Sequence, residues 1–143
     1  MNHTKHVCNY AILQYLPYRE REEFVNIGVV MCCADPCMFD FRMEGPGMPD
    51  RVKALFPRLG EDVFVRSIAA MHRELDRIEG RLEKEKTAQS IKLAFQELVR
   101  PRESALRFGE IRTFMADEPE NAVEELFHRY VKVEDAAGAV SGS

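Results

Sequence analysis

The chain has 143 residues, enough to bury one core, so a single domain over residues 1–132 is expected. With 45% apolar and 31% charged residues it is neither a disordered nor a membrane composition, and no apolar run reaches the roughly 18 residues of a spanning helix. The net charge of −4 hides a mildly basic middle, 14 basic against 10 acidic side chains over residues 51–112, between two acidic flanks. So small an excess, interleaved with acids, reads as solvated surface, and nucleic acid is not the expected partner.

The N-terminus, Met1 to His6, lacks the basic-then-apolar layout of a secretory signal, which points to the cytoplasm. Residues 7–16 carry Val7, Tyr10, Ile12 and Tyr15 and read as a strand that Pro17 ends. Tyr18 to Glu23 form a charged loop. It leads into Phe24–Cys33, where Val25, Ile27, Val29 and Val30 dominate and only Asn26 and Gly28 interrupt. Apolar residues at both parities predict a central strand with both faces covered. The connection before it is too short for a crossover, so the two strands are antiparallel neighbours. Ala34 to Cys37 is turn chemistry, and Phe39, Phe41 and Met43 alternate with Asp40 and Arg42 in a third strand.

Gly45 to Pro49 is a break, after which Asp50 opens a short helix carrying Val52, Leu55 and Phe56. Phe64, Ile68, Met71, Leu75, Ile78 and Leu82 then recur at steps of four and three, predicting a long helix over 62–86 with one apolar stripe. Thr87 or Ser90 caps a further helix through Leu98. Ala105 to Met115 is strand-like but split by Gly109, which implies a bulge or two short strands. Pro119 suits a first helical turn, and Val123, Leu126, Phe127, Tyr130 and Val131 mark a last amphipathic helix. Residues 133–143 are small and polar and read as a disordered tail. The sum is an α+β fold: a small, mainly antiparallel sheet, an N-terminal three-stranded meander plus a later strand, covered on one face by three to four helices.

Chemistry is sparse. Cys8, Cys32, Cys33 and Cys37, with His3 and His6, fall near two strand ends that antiparallel pairing brings together. Their spacing fits no zinc motif, and they read as reduced, buried thiols, with neither metal nor cofactor expected. His72 and His128 lie on helices outside any nucleophile–base spacing, so no catalytic residue is assigned. The candidate binding set is Arg19, Glu22, Glu23, Asn26 and Arg107. Two guanidiniums would clamp an anion, a glutamate would act as base or metal ligand, and the Asn26 amide must find partners within an apolar strand. Gly28, two residues on, is read as sharing the face of Asn26 and leaving room there for a backbone or a ligand.

Tyr10-Ala-Ile-Leu-Gln-Tyr-Leu-Pro17 followed by Arg21-Glu-Glu-Phe-Val-Asn-Ile-Gly-Val-Val30 resembles the N-terminal signature of the bacterial DUF3037 family. Ser104 to Phe108 and Leu126 to Val131 are similar to its C-terminal elements, while Gln14 stands where that pattern carries an arginine. The resemblance implies a small bacterial protein without an established activity, in a family often found beside a HipA-like kinase gene. It thus implies a non-enzymatic interaction or regulatory role, with a kinase-like or toxin–antitoxin-type protein partner or a homo-oligomer. The alternative is an enzyme or binding module for a phosphorylated or nucleotide ligand, using Arg19 to Asn26 and Arg107.

Overall fold

The computed structural model describes residues 5–102 and 104–132; the expected tail and His3 lie outside them. Five strands, β1 (His6–Tyr15), β2 (Val25–Cys33), β3 (Met38–Met43), β4 (Leu106–Phe108) and β5 (Arg112–Ala116), form one antiparallel sheet. The order is β3-β2-β1-β4, with β5 also on β1. The N-terminal meander is therefore present as expected, and β2 runs in the sheet interior between β1 and β3. Helices α1 (Asp50–Leu55), α2 (Glu61–Lys84), α3 (Ala88–Leu98) and α4 (Ala122–Tyr130) complete an α+β fold. No helix among the described residues is long and apolar enough to cross a membrane.

β4 and β5 are two segments of one edge strand. Leu106–Phe108 pairs with Leu13–Tyr15 and Arg112–Ala116 with His6–Tyr10, one residue out of step, and Gly109 N–H continues the first register by donating to Ile12 O at 2.8 Å. This is the interruption expected at Gly109. An extra residue in an edge strand re-aims the ladder without breaking it.

Helices cover both faces. Ala11, Leu13, Tyr15, Ile27, Val30 and Cys32 pack under α1, α2 and α3, whereas Cys8, Tyr10, Val29, Met31 and Cys33 pack under α4. Cover on one face holds for the first three helices; α4 takes the opposite one because the apolar parity of β1 and β2 demands a second layer. The predicted stripe of α2 is buried at all six positions. Each such side chain stabilises by roughly 1.5–3 kcal/mol. α3 lies against β2 and β3 with α2 beside it. Thr87 caps α3, its hydroxyl accepting from Ser90 N–H while Ser90 Oγ accepts from Thr87 N–H. Arg102 ties the two helices together, donating to both oxygens of Glu74 at 2.7 and 3.1 Å and to Leu98 O at 2.7 Å.

The β1–β2 ladder contains a bulge. Leu13 pairs with Gly28 and Gln14 with Asn26, so Ile27 has no opposite number and side-chain parity changes there. Gly28 consequently does not share a face with Asn26, the parity extrapolated from the sequence. Asn26 turns toward α4, while a Cβ on Gly28 would meet Met43 Cβ at 2.8 Å and Arg42 O at 3.0 Å. The room that Gly28 leaves is filled by β3. Gly28→Ala is therefore expected to destabilise the fold by about 1–3 kcal/mol, read as a lower denaturation midpoint with an unchanged slope. An unchanged midpoint would refute the close approach of β3.

Candidate functional site

The five residues singled out by sequence divide between the loop before β2, which carries Arg19, Glu22 and Glu23, and the sheet, which carries Asn26 and Arg107. Arg19 sits in a 3₁₀ turn (Arg19–Arg21) and Nη1 donates to Ser104 O at 2.6 Å, anchoring the loop to the segment before β4. Glu22 closes that turn in the left-handed region (φ 56°), and Glu23 stands 3.8 Å from Arg21; both are exposed. Arg107 and Asn26 lie on either side of Gln14 across the strands. Arg107 Nε donates to Gln14 Oε1 at 2.9 Å, and its guanidinium lies 5.1 Å from the Phe24 ring centre. Gln14 can accept that bond because it carries an amide oxygen, which an arginine at the position would not.

Asn26 Nδ2 donates to Tyr130 O at 3.1 Å, tying β2 to the end of α4. Its buried Oδ1 has no hydrogen-bond partner among the described residues. The partner that an amide in an apolar strand requires is thus supplied by the end of α4, which covers this face. The clefts beside Lys92, Arg129, Arg58 and Lys86 are lined by none of these five.

A cleft lies at the other end of the sheet. It encloses about 580 Å³ between α3 and the Cys8–Cys33 end of the β1–β2 ladder, within the range of ligand pockets. Asn9 and Cys32 of the sheet form one wall, and Gln89, Ile91, Lys92, Leu93 and Gln96 of α3 form the other. Lys92 is the one charged lining residue and has no ion-pair partner among the described residues. Leu93 is 55% exposed on the same helix. Asn9 Oδ1 accepts from Thr113 Oγ1 of β5 at 2.9 Å, and beyond that pair Val7 on β1 and Met115 opposite it on β5 are 54% and 53% exposed. The sequence carried one sign of this surface: Leu93 falls off the buried stripe of α3, formed by Ile91, Ala94, Phe95 and Leu98.

The thiols are divided between the two faces. Cys8 and Cys33 face each other across β1 and β2 beneath α4, while Cys32 points into the opposite core at the edge of the cleft. Burial, reinforced by Cys33, pushes the Cys8 thiol up to about 12, and burial pushes Cys32 up to about 11. Both are protonated at neutral pH, which is the unreactive form. Among the described residues no group of three His, Cys, Asp or Glu side chains is placed to hold a metal ion. His72 and His128 are 54% and 67% exposed, each one helical turn from a carboxylate.

The family described as "Protein of unknown function (DUF3037)" matches residues 10–131, from the middle of β1 to the end of α4. The chain belongs to the DUF3037 family. No curated protein and no solved structure matches it. In this DUF3037 chain the matched span includes the whole α3 cleft except Asn9.

Two outcomes are expected. Asn26→Asp replaces a donor with a carboxylate facing Tyr130 O and should cost roughly 3 kcal/mol at neutral pH, recovering on acidification when the carboxyl can donate; Glu23→Gln should stay within about 0.5 kcal/mol. Equal midpoints for both variants in urea titrations would remove the structural role of Asn26. Cys8, Cys32 and Tyr15, the last raised by burial to about 12, all have folded pKa values above their ordinary 9.0, 9.0 and 10.0. Their contribution is fully present below pH 9 and is lost as pH rises through 9 to 12. Stability measured against pH should therefore decline above about 9. A flat profile to pH 11 contradicts it.

Proposed function

We propose that this chain is a non-enzymatic interaction protein of the bacterial cytoplasm that presents the α3 cleft to a partner polypeptide in a regulatory complex. The observation that carries this reading is an open cleft with an exposed leucine on its rim and, in its lining, a lysine that has no ion-pair partner among the described residues. An apolar anchor entering beside Leu93, with a carboxylate near Lys92, fits that lining. A HipA-like kinase or a toxin–antitoxin-type protein is the partner class suggested by the family resemblance. The protonated state of Cys8 and Cys32 favours binding over thiol chemistry.

A phosphorylated or nucleotide ligand held by Arg19, Glu22, Glu23, Asn26 and Arg107 has less support. Arg19 is occupied by Ser104 O, and Arg107 by Gln14 and Phe24.

The test is co-purification at native expression with the tagged wild type and with Leu93→Asp and Lys92→Glu. Both positions are exposed, so the variants should keep the wild-type circular dichroism spectrum. One identified protein is expected in near-stoichiometric yield with the wild type and at least about tenfold less with Leu93→Asp, the size of effect of losing a binding anchor. A wild-type chain that purifies alone, or a variant that retains the partner, overturns the proposal.

A further inference from the structure

β5 lies at the border of the sheet. It pairs with β1 on one side and with no other strand among the described residues. Such a border is a template for another strand unless charge, proline or a helix blocks it. Here the segment Ile111-Arg-Thr-Phe-Met115 has one charge and no proline, and Ile111 and Met115 are 47% and 53% exposed. On β1, Val7 opposite Met115 is 54% exposed and extends the apolar strip.

We infer that β5 pairs antiparallel with β5 of a second copy of this chain, with Thr113 on the two-fold axis. The reason is that the segment is self-complementary about Thr113. In that register Ile111 lies opposite Met115 of the second copy, and Arg112 opposite Phe114. The alternation of strand side chains puts Thr113 and Met115 on the cleft side, and the exposed Ile111 directly precedes the strand, so the dimer joins two apolar strips. Arg112 and Phe114 fall on the α4 side, where a guanidinium meets the edge of an aromatic cluster: the Tyr10 ring stands 5.5 Å from Phe114.

The two-fold registers centred one residue to either side of Thr113 bring like charges together. Centring on Phe114 sets Glu110 against Glu118. Centring on Arg112 sets that arginine against itself. With Thr113 at the centre, Glu110 faces Ala116 and Asp117 faces Gly109, and no like charges are opposed. Dimers of this kind are isologous and close after two copies, so the exposed strip is consumed rather than propagated. The inference stands apart from the identity of any partner in the α3 cleft. It does bring the two clefts near each other, because Asn9 in each lining is bonded to the Thr113 on the axis.

Sedimentation equilibrium and cysteine cross-linking test it, in a Cys37→Ser background because Cys37 is the one partly exposed thiol. Opposed residues in an antiparallel pair are about 4.5–5.5 Å apart at Cα, within disulfide reach. Thr113→Cys is therefore expected to give a cross-linked dimer under mild oxidation. Ile111→Cys alone and Met115→Cys alone place their thiols roughly 13 Å from their copies and should fail, whereas mixing the two variants should cross-link. Met115→Lys, at an exposed position, should keep the wild-type circular dichroism spectrum and shift the sedimentation to monomer. A wild-type chain that is monomeric at every concentration overturns the inference. So does a dimer in which Thr113→Cys stays unlinked, one in which Ile111→Cys links to itself, or one that survives Met115→Lys unchanged.

Discussion

The antiparallel ladder between β1 and β2 is the constraint from which the rest of the architecture follows. These two strands carry apolar side chains on both faces, Ala11, Leu13 and Tyr15 on one side of β1 and Cys8 and Tyr10 on the other. A sheet that is apolar on both sides cannot leave either face in water without losing about 25 cal/mol per Å² of exposed apolar area. It must be a middle layer. The N-terminal helices α1 to α3 cover one side, and α4, at the far end of the chain, returns to cover the other. Tyr15 shows how tightly the first layer closes, meeting Phe64 edge-on at 5.0 Å and Phe56 at 6.1 Å.

The bulge at Ile27 refines this arrangement at one end of the ladder. It turns Ile27 into the larger core and Asn26 toward α4, where the carbonyl of Tyr130 takes its amide proton. Nearby the second layer is fastened by charge: Lys132 and Arg51 flank the Glu44 carboxylate at 3.4 and 2.9 Å, and Arg42 pairs with Glu124 while stacking on Phe127. Only 11% of the Glu44 side chain is exposed, so these contacts are less screened than ordinary surface pairs. The residues that looked like a binding constellation in the sequence are, in the fold, ties between a loop, a bulge and a helix terminus.

At the opposite end of the ladder the cover is incomplete. Val7 and Met115, on the α3 side of the sheet margin, are more than half exposed, and the cleft beside α3 reaches Asn9, two residues along β1 from Val7. The α3 cleft and the β5 border are thus two consequences of one geometric fact: the first helical layer does not extend across the outermost strand.

Much of the fold was legible in the residues. The parity of apolar side chains gave a central β2, the steps of four and three gave α2, and Gly109 marked the break between β4 and β5. These are local signals, since a strand or helix writes its own period into the chain. The tertiary structure alone decided that α4 belongs on the second face, that a bulge separates Asn26 from Gly28, and that Lys92, Leu93 and Asn9 share one cleft. The reason is physical. Which elements meet depends on total burial summed over distant segments, and a one-residue register slip reverses side-chain direction without any mark in the local pattern.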